Sequence, residues 1–252
     1  MTIVVRPIRY TSRVAATREW AIRLGLVPLL DTDDWVVFAA GSGRLALHAV
    51  PAGDPSDGST TLAVETDDLD ALQERWSRAG LATRRVDSHD VPLLFAATPF
   101  GGELVAGELS PSTAQGRPDA DLAVMPMLVT PEVSGAADWL ATHLGLRRRI
   151  SSEGGGWVDL AMPDGGGLVA IHHAGNLSSE PPEAAPMGEI AVGLTFEHTD
   201  VDALLERVRS AGLEDAHVVD EAYNRTLLVD CPDGETIWVN GAMADLYGYR
   251  RG

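Results

Sequence analysis

The stretch DLDALQERWSRAGL at residues 68–81 occurs a second time as DVDALLERVRSAGL at residues 200–213. At least eight of the fourteen aligned positions are identical, and the alignment needs no gap. A shorter form of the same ending, LGL, occurs at 24–26 and at 144–146, so that successive endings are 55, 65 and 67 residues apart. A repeat at this spacing predicts four modules, each built from one supersecondary unit.

Each module starts with an apolar run and changes to a two-residue period after its helix. The runs at 61–64 and 190–196 precede the repeated helix and are typical of strands. The segments 35–50 and 157–172 each contain two alternating runs around a glycine-rich turn, which predicts a hairpin. Each module should therefore contain a strand, a helix and two or three further strands, which places the chain in the α+β class.

The repeated helix carries clear start and stop signals. Asp68 and Asp200, or the residue just before each, supply a side-chain oxygen for the unpaired amides of the first turn. Gly80 and Gly212 supply the left-handed residue that closes the last turn. These signals predict two helices in equivalent places of two halves.

The repeat also divides the chain into two domains. Residues 111–121 are polar and interrupted by Pro and Gly, with no apolar residue larger than alanine, so they are predicted to be a linker. The first domain then covers residues 1–110 and the second covers residues 122–252, with two modules in each. Both exceed the size at which a hydrophobic core can form alone.

Composition excludes several classes of function. The 19 Lys and Arg residues against 37 Asp and Glu residues give a formal charge of −18, which disfavours nucleic-acid binding. A lone cysteine, Cys231, cannot form an internal disulfide, and no run approaches the roughly 18 apolar residues that a membrane span requires. We expect a cytoplasmic protein without a signal peptide, which binds neither membranes nor nucleic acid.

The module order, the LGL helix ends and the DxDAL helix starts resemble the vicinal oxygen chelate superfamily of glyoxalases, bleomycin-resistance proteins and extradiol dioxygenases. The turn CPDG at 231–234 before ETIW at 235–238 is similar to the turn that leads into the last strand of that family, and TPFG at 98–101 is a weaker copy. The resemblance covers nearly the whole chain. It implies two tandem glyoxalase/bleomycin-resistance-type domains, each made of two βαβββ modules that curl into a bowl-shaped mixed sheet with the helices outside.

The resemblance also implies where a metal would bind. The family's metal enzymes place His or Gln in the first strand of each module and Glu or another ligand in the last, which suits hard divalent ions. None of the corresponding first-strand residues is a good ligand, and at most one imidazole per bowl remains in the last strands. We therefore predict no metal and no other cofactor. The first-strand positions fall near Val5 or Arg6, Thr61, Met125 and Gly193, and the last-strand positions fall near Leu47 or His48, Val105, Ile171 or His172, and Trp238.

Aromatic residues supply the candidate ligand contacts. Trp35 and Trp157 occupy equivalent positions of the repeat, and Trp238 stands where a metal enzyme would keep its glutamate, so each is a candidate stacking surface. Tyr223 and Arg225 precede the final predicted strand of the second half, in a stretch that often faces the ligand in the family. Plain core packing for Trp238 and an exposed loop for Tyr223 and Arg225 are the alternatives.

Two histidines are candidates for binding or proton transfer. His48 and His172 end equivalent strands, and imidazole is the side chain that exchanges protons near neutral pH. The alternative, an edge histidine whose ring is satisfied by a backbone carbonyl, is favoured for both. His48 is therefore a candidate ligand contact, and both are weak candidates for catalysis.

Three hypotheses about function follow. The first is a metal-independent protein that binds and sequesters a small molecule, such as an aromatic or cationic antibiotic, since aromatic rings and acidic charge both attract aromatic cations. The second is a lyase, isomerase or dioxygenase-like enzyme of the same superfamily that acts on a small organic substrate. The third is that one bowl has lost its ligand and serves as a packing or dimerisation surface. Either a monomer or a homodimer is compatible with the sequence.

Overall fold

The computed structural model describes residues 1–88, 91–111, 116–176, 191–220, 224–243 and 246–252. The described chain contains four α-helices and four mixed β-sheets, which confirms the α+β class. The helices and strands follow the predicted order of four modules. None of the described helices has the length and apolarity that crossing a membrane would require.

The first half contains modules 1 and 2. Module 1 consists of β1 (Ile3–Val5), β2 (Ile8–Thr11), α1 (Val14–Leu24), β3 (Val27–Asp31), β4 (Trp35–Ala39) and β5 (Arg44–Ala49). Module 2 consists of β6 (Thr60–Thr61), β7 (Ala63–Thr66), α2 (Leu69–Arg78), β8 (Thr83–Ser88), β9 (Val91–Ala97) and β10 (Glu103–Glu108).

The second half contains modules 3 and 4. Module 3 consists of β11 (Leu122–Val124), β12 (Met127–Thr130), α3 (Val133–Leu144), β13 (Arg147–Ser152), β14 (Trp157–Ala161) and β15 (Leu168–His173). Module 4 consists of β16 (Ala191–Gly193), β17 (Thr195–His198), α4 (Val201–Ser210), β18 (His217–Asp220), β19 (Arg225–Asp230), β20 (Thr236–Gly241) and β21 (Tyr249–Arg251).

The opening strand of every module is broken in two, and the pieces belong to different sheets. In the first half the sheets have the orders β3-β4-β5-β2-β6 and β1-β7-β10-β9-β8. In the second half they have the orders β16-β12-β15-β14-β13-β21 and β11-β17-β20-β19-β18. Because β1 pairs with β7 and β6 pairs with β2, each module contributes one short strand to its neighbour's sheet. This exchange joins the two sheets of each half into one bowl.

The predicted helix signals are confirmed. The Asp68 carboxylate accepts a hydrogen bond from the Ala71 amide at 2.8 Å, and the Asp200 carboxylate accepts one from the Ala203 amide at 3.0 Å. Both oxygens satisfy first-turn amides that otherwise lack a partner. Gly80 and Gly212 adopt φ angles of +81° and +92°, a left-handed backbone that ends each helix without a steric penalty.

The helices pack in two cores that the halves share. One core combines apolar side chains of modules 2 and 3, and there the Trp76 indole N–H donates to the His143 carbonyl at 3.2 Å. The other core combines modules 1 and 4, where the rings of Trp20 and Phe196 lie 6.4 Å apart. We call these the outer cores, because they lie on the helix side of the sheets. The concave side of each pair of sheets forms a bowl, named bowl 1 in the first half and bowl 2 in the second.

Ion pairs add to the contact between the halves. The side chain of Arg9, on the outer face of β2, is 1% exposed, and its Nε donates to Asp233 at 2.8 Å. Arg9 also pairs with Glu235. Both acids belong to the CPDG turn and the residue after it, so the turn that resembles a family feature lies against the first half.

Part of the predicted linker is also held by charge. Asp119 accepts hydrogen bonds from His198 Nε2 at 3.1 Å and lies 2.5 Å from Arg207, and its amide donates to the Gly25 carbonyl at 2.9 Å. His198 in turn accepts the Asp200 amide at 3.0 Å and so supports the start of α4. Residues 112–115 of the linker lie outside the described part of the chain.

Candidate functional site

The alternation of side chains along the strands decides which candidates face the bowls. Val5 and Ile171 belong to one outer core and Leu47 belongs to the other. Because neighbouring residues of a strand point to opposite faces, Arg6, His48 and His172 face the bowls. Three of the predicted metal positions had two alternative residues each. In each case the residue that faces the bowl is the polar one, namely Arg6, His48 and His172.

Bowl 1 holds an aromatic cluster above a buried arginine. The His48 ring lies 5.5 Å from the rings of Tyr10 and Trp35, with near-perpendicular planes in both contacts. The Arg6 guanidinium lies 5.2 Å from the Trp35 ring centroid, within the range of a cation–π interaction. Trp35 and Tyr10 are half-buried and His48 is exposed, so the cluster reaches from the floor of the bowl to solvent.

Arg6 is almost completely removed from solvent, with an exposed fraction of 2%. Burial lowers its pKa, and the neighbouring Glu65 carboxylate opposes this shift. Its Nε lies 3.1 Å from Glu65 Oε1, yet neither Nε nor Nη1 makes a hydrogen bond to any described residue. Arg6 is therefore a buried cation with two nitrogen donors, Nε and Nη1, that lack a hydrogen-bond acceptor.

The Glu65 carboxylate accepts its hydrogen bonds from residues other than Arg6. Its carboxylate accepts from Arg44 Nη1 at 2.6 Å and from the Ser110 hydroxyl at 2.6 Å. The Ser110 amide also donates to it, at 3.3 Å. These three donors occupy the carboxylate, so its contact with Arg6 is chiefly electrostatic.

A half-open cavity of about 410 Å³ lies at the edge of bowl 1, where Leu62, Leu104 and Leu128 of the outer core of modules 2 and 3 also line it. Tyr10, Phe95 and Phe100 contribute aromatic rings to its wall, and Leu128 and Val192 of the second half close one side. Thr61, which occupies a predicted metal position, also lies on the wall. The cavity falls within the size range of small-molecule sites, and its mainly apolar wall with a few polar groups is typical of them.

Bowl 2 repeats the tryptophan–histidine pair of bowl 1. The Trp157 and His172 rings lie 5.7 Å apart with an interplanar angle of 80°. His172 Nδ1 lies 2.9 Å from the His173 carbonyl, a contact that fixes the imidazole orientation. The Trp157 indole N–H is buried and has no hydrogen-bond partner among the described residues. The repeat therefore preserves this pair in both bowls.

The charged cluster of bowl 2 differs from that of bowl 1. Arg149 donates to Asp159 through Nε at 3.2 Å and Nη2 at 2.8 Å, and to Glu197 through Nη1 at 2.7 Å and Nη2 at 2.5 Å. Burial disfavours the charge on Arg149, but hydrogen bonds to Glu197 and Asp159 outweigh burial and raise its pKa. For Asp159 burial is the larger effect and raises the pKa of its carboxyl despite Arg149. In this cluster one arginine pairs with two carboxylates.

Three residues of module 4 were predicted to line bowl 2, and the structure separates two of them, Trp238 and Arg225. Trp238 is half-buried and faces bowl 2, because its neighbours Ile237 and Val239 belong to an outer core. Arg225 is exposed and pairs with Asp220 at 2.6 Å and with Asp202 at the start of α4. It therefore lies on the outer face, contrary to the expectation that it joins Trp238. Tyr223 lies outside the described residues.

Comparison with solved structures identifies the architecture. The chain is similar to a catechol 2,3-dioxygenase at 18% identity, with a TM-score of 0.61 over 96% of this chain and 89% of that one. It is similar to the Mn(II)-bound glyoxalase of Novosphingobium aromaticivorans at 14% identity, with a TM-score of 0.62 over 95% and 81%. The halotolerant catechol dioxygenase BphC matches at 12% identity, with a TM-score of 0.56 over 95% and 86%. The fold is the one that these two dioxygenases and this glyoxalase share.

Sequence comparison adds nothing to this structural likeness. No protein-family model matches the chain, and no curated protein matches it significantly. The expected resemblance to the vicinal oxygen chelate superfamily is thus confirmed for the fold, with nearly the full chain covered. At such low identity the likeness shows the fold alone, so activity has to be argued from the bowls.

The described residues do not fit the metal of the vicinal oxygen chelate enzymes. In bowl 1 the first-strand position holds Arg6, a permanent cation with no lone pair to donate to a metal. In bowl 2 the corresponding positions hold Met125 and Gly193, and Trp238 replaces the expected carboxylate. The described chain contains no group of three or more His, Cys, Asp or Glu side chains arranged to hold an ion.

Two features of the bowls are not predicted from the sequence. Arg6 is identified there only as a possible metal position, and its burial as a cation is not expected. Glu65 and Glu197 are not among the predicted site residues, although each lies three residues before the capping aspartate of the repeated helix. Aligning the repeat on Asp68 and Asp200 places the two glutamates together, which is the signal that would have found them.

Proposed function

We propose that this protein binds and sequesters a flat aromatic small molecule without a metal, and that bowl 1 is the binding site. The observation that carries the proposal is the cavity of about 410 Å³ walled by Tyr10, Phe95 and Phe100. Aromatic side chains around an apolar cavity favour a planar ligand, because offset and edge contacts between rings add to the burial of apolar surface.

The occupants of the metal positions support the same proposal. A guanidinium at Arg6 repels a divalent cation, and the Trp35 ring beside it offers a stacking surface instead. Sequestration needs affinity only and makes no demand for a reactive group. Ligands of the kind proposed include aromatic antibiotics, as the family resemblance implies.

The test is a binding screen with a cavity-filling variant. Wild-type protein would be titrated calorimetrically with a panel of planar aromatic compounds, after elemental analysis for manganese, iron, nickel and zinc. Thr61→Phe should fill the cavity and abolish binding, while its repeat equivalent Gly193→Phe, in bowl 2, should leave binding in bowl 1 intact. No binding by any compound, or equal binding by Thr61→Phe, would contradict the proposal.

An enzyme of the same superfamily is the second candidate, because the structures similar to this chain are named as dioxygenases and a glyoxalase. The exposed His48, in contact with the cavity residue Tyr10, is the group that would transfer a proton in bowl 1. His172 holds the same position in bowl 2. Turnover of catechol by the wild-type protein that is lost in His48→Gln or His172→Gln would favour this candidate over sequestration.

A further inference from the structure

We propose that the ligand of bowl 1 carries a planar anionic group, such as a carboxylate, and that Arg6 binds this group. The inference rests on the proposed function and adds the charge of the ligand to it. It differs from the expectation of a cationic ligand, which the formal charge of −18 favours at the surface.

The unused donors of Arg6 are the first step of the argument. Arg6 has an exposed fraction of 2%, and its Nε and Nη1 make no hydrogen bond to a described residue. Glu65, the nearest carboxylate, is already occupied by Arg44 and Ser110. A buried N–H group without an acceptor destabilises the protein. A ligand that supplies an acceptor removes this penalty, which adds to its binding free energy.

Bowl 2 provides the internal comparison. There Arg149 makes four hydrogen bonds to two carboxylates, Asp159 and Glu197, and has little capacity left for a ligand. In bowl 1 the balance is reversed, because the two cations Arg6 and Arg44 share the single carboxylate of Glu65. The floor of bowl 1 therefore carries an excess of one positive charge, and the cluster of bowl 2 an excess of one negative charge.

Arg6 lies close to the cavity, behind its wall. A Cβ atom on Gly107 would lie 3.2 Å from Arg6 Nη2, so the missing side chain makes room for the guanidinium. Val105, two residues earlier on the same face of β10, lines the cavity. Residues so spaced in a strand lie about 7 Å apart, so the guanidinium lies behind the Val105 side of the wall and does not itself line the cavity. Trp35, whose ring lies beside the guanidinium, does not line the cavity either, so the anionic group of the ligand has to extend past Val105 to reach Arg6.

The charges at the cavity rim do not cancel this excess. Glu103 lines the cavity but pairs with Arg84 at 2.9 Å, and the Arg84 guanidinium lies 4.1 Å from the Phe95 ring centroid. This pair is neutral. Asp33 and Asp34, in the turn before Trp35, are exposed to solvent, where water and salt screen their charge.

The test compares three probes of one shape: 2-naphthoate, 2-naphthamide and 2-naphthylmethylammonium. Calorimetry on wild-type protein should show 2-naphthoate binding at least about tenfold more tightly than 2-naphthamide, because a charge-assisted hydrogen bond to a buried guanidinium exceeds a neutral one. Thr61→Phe should abolish binding of both. Equal affinity for the two probes, or tighter binding of the ammonium, would overturn the inference while leaving the proposed function intact. No binding of any probe would count against both.

Variants assign the preference to Arg6. Arg6→Gln should lower the affinity for 2-naphthoate to that for 2-naphthamide and leave the amide affinity unchanged, whereas the matched variant Arg149→Gln in bowl 2 should preserve the tenfold preference. If circular dichroism shows that Arg6→Gln does not fold, Arg6→Lys keeps the charge but loses the planar fork, and should weaken 2-naphthoate alone by several-fold. An unchanged carboxylate preference in a folded Arg6 variant would refute the assignment.

Discussion

Glu65 and Glu197 occupy equivalent positions of the internal repeat, and each carboxylate binds an arginine from another strand of its bowl. Arg44 of β5 donates to Glu65 at 2.6 Å, and Arg149 of β13 donates to Glu197 at 2.7 Å. The arginines come from different strands of their modules, so the repeat preserves the acid while its partner has changed. A carboxylate that is at least largely buried and pairs with arginine is thus a shared element of both bowls, and the number of cations around it distinguishes them.

Glu65→Gln should destabilise the protein far more than Glu197→Gln. Removal of the Glu65 charge leaves the buried Arg6 and the partly buried Arg44 without a counter-ion, which costs about 3–5 kcal/mol. Arg149 is 31% exposed and keeps Asp159 as a partner, so Glu197→Gln should cost about 1–2 kcal/mol. Urea denaturation at pH 7 measures both losses.

The control for this pair is Glu103→Gln, which removes an acid that is 45% exposed and paired with a surface arginine. Exposed ion pairs contribute at most about 1 kcal/mol, so this variant should unfold near the wild-type midpoint. Equal losses for Glu65→Gln and Glu197→Gln would show that the two bowls tolerate unpaired charge alike.

The local features of the fold were predictable from the sequence because their causes are local. The Asp68 and Asp200 caps and the hairpins at β4–β5 and β14–β15 depend on residues a few positions apart, and all are present. The direction of side chains near residue 5 was not predictable. Val5 and Arg6 are both buried, so the strand lacks the polar–apolar alternation that would show which one faces the bowl.

Contacts between distant segments could not be predicted from the sequence, for a different reason. Arg9 binds Asp233 across 224 residues, and nothing near either residue specifies the other. The same holds for the outer cores, since all four helices present apolar faces and only the three-dimensional arrangement pairs module 1 with module 4 and module 2 with module 3. Arginine is usually exposed, so the burial of Arg6 could not be predicted either. It results from the packing of several strands around the bowl.

Trp238→Ala should distinguish a bowl residue from a core residue. Trp238 is half-buried on the bowl side of β20, so its removal should cost about 1–2 kcal/mol and leave a cooperative unfolding transition. Trp76, which has no exposed surface in the outer core, provides the matched comparison, and Trp76→Ala should cost about 3–5 kcal/mol. If both variants lose the same stability in urea, Trp238 is a packing residue and the third hypothesis, a bowl without a ligand, gains support.

Cys231 should be nearly inert in the folded protein. Burial, together with the nearby negative charge of Asp233, raises the pKa of its thiol to about 12. At pH 8 only about one thiol in ten thousand would then be ionised, and the thiolate is the reactive form. Reaction with a chromogenic disulfide such as 5,5'-dithiobis(2-nitrobenzoate) should be slow without denaturant and rapid in guanidinium chloride. Modification of the folded protein at the rate of free glutathione would contradict this prediction.

Asp119 should make the stability of the protein depend on pH on the acid side. Burial opposes its ionisation, but the Asp121 amide and the Arg207 guanidinium outweigh burial and hold the pKa of Asp119 below its ordinary value of 3.8. The folded protein therefore binds this proton less tightly than the unfolded chain does. The stabilisation is complete above pH 3.8 and is lost as the pH falls through the lower folded-state pKa.

Asp119→Asn tests this dependence. The variant should be less stable than wild type by about 1–2 kcal/mol at pH 7, because a charged acceptor of Arg207 is lost. The difference should shrink as the pH is lowered from 5 towards 2, since wild-type Asp119 then becomes neutral as well. Asp33→Asn, which changes an exposed carboxylate in the turn between β3 and β4, controls for the loss of one negative charge. Urea midpoints across this pH range measure the effect, and a gap between wild type and Asp119→Asn that stays constant with pH would show that the carboxylate charge contributes nothing to holding the segment between the halves.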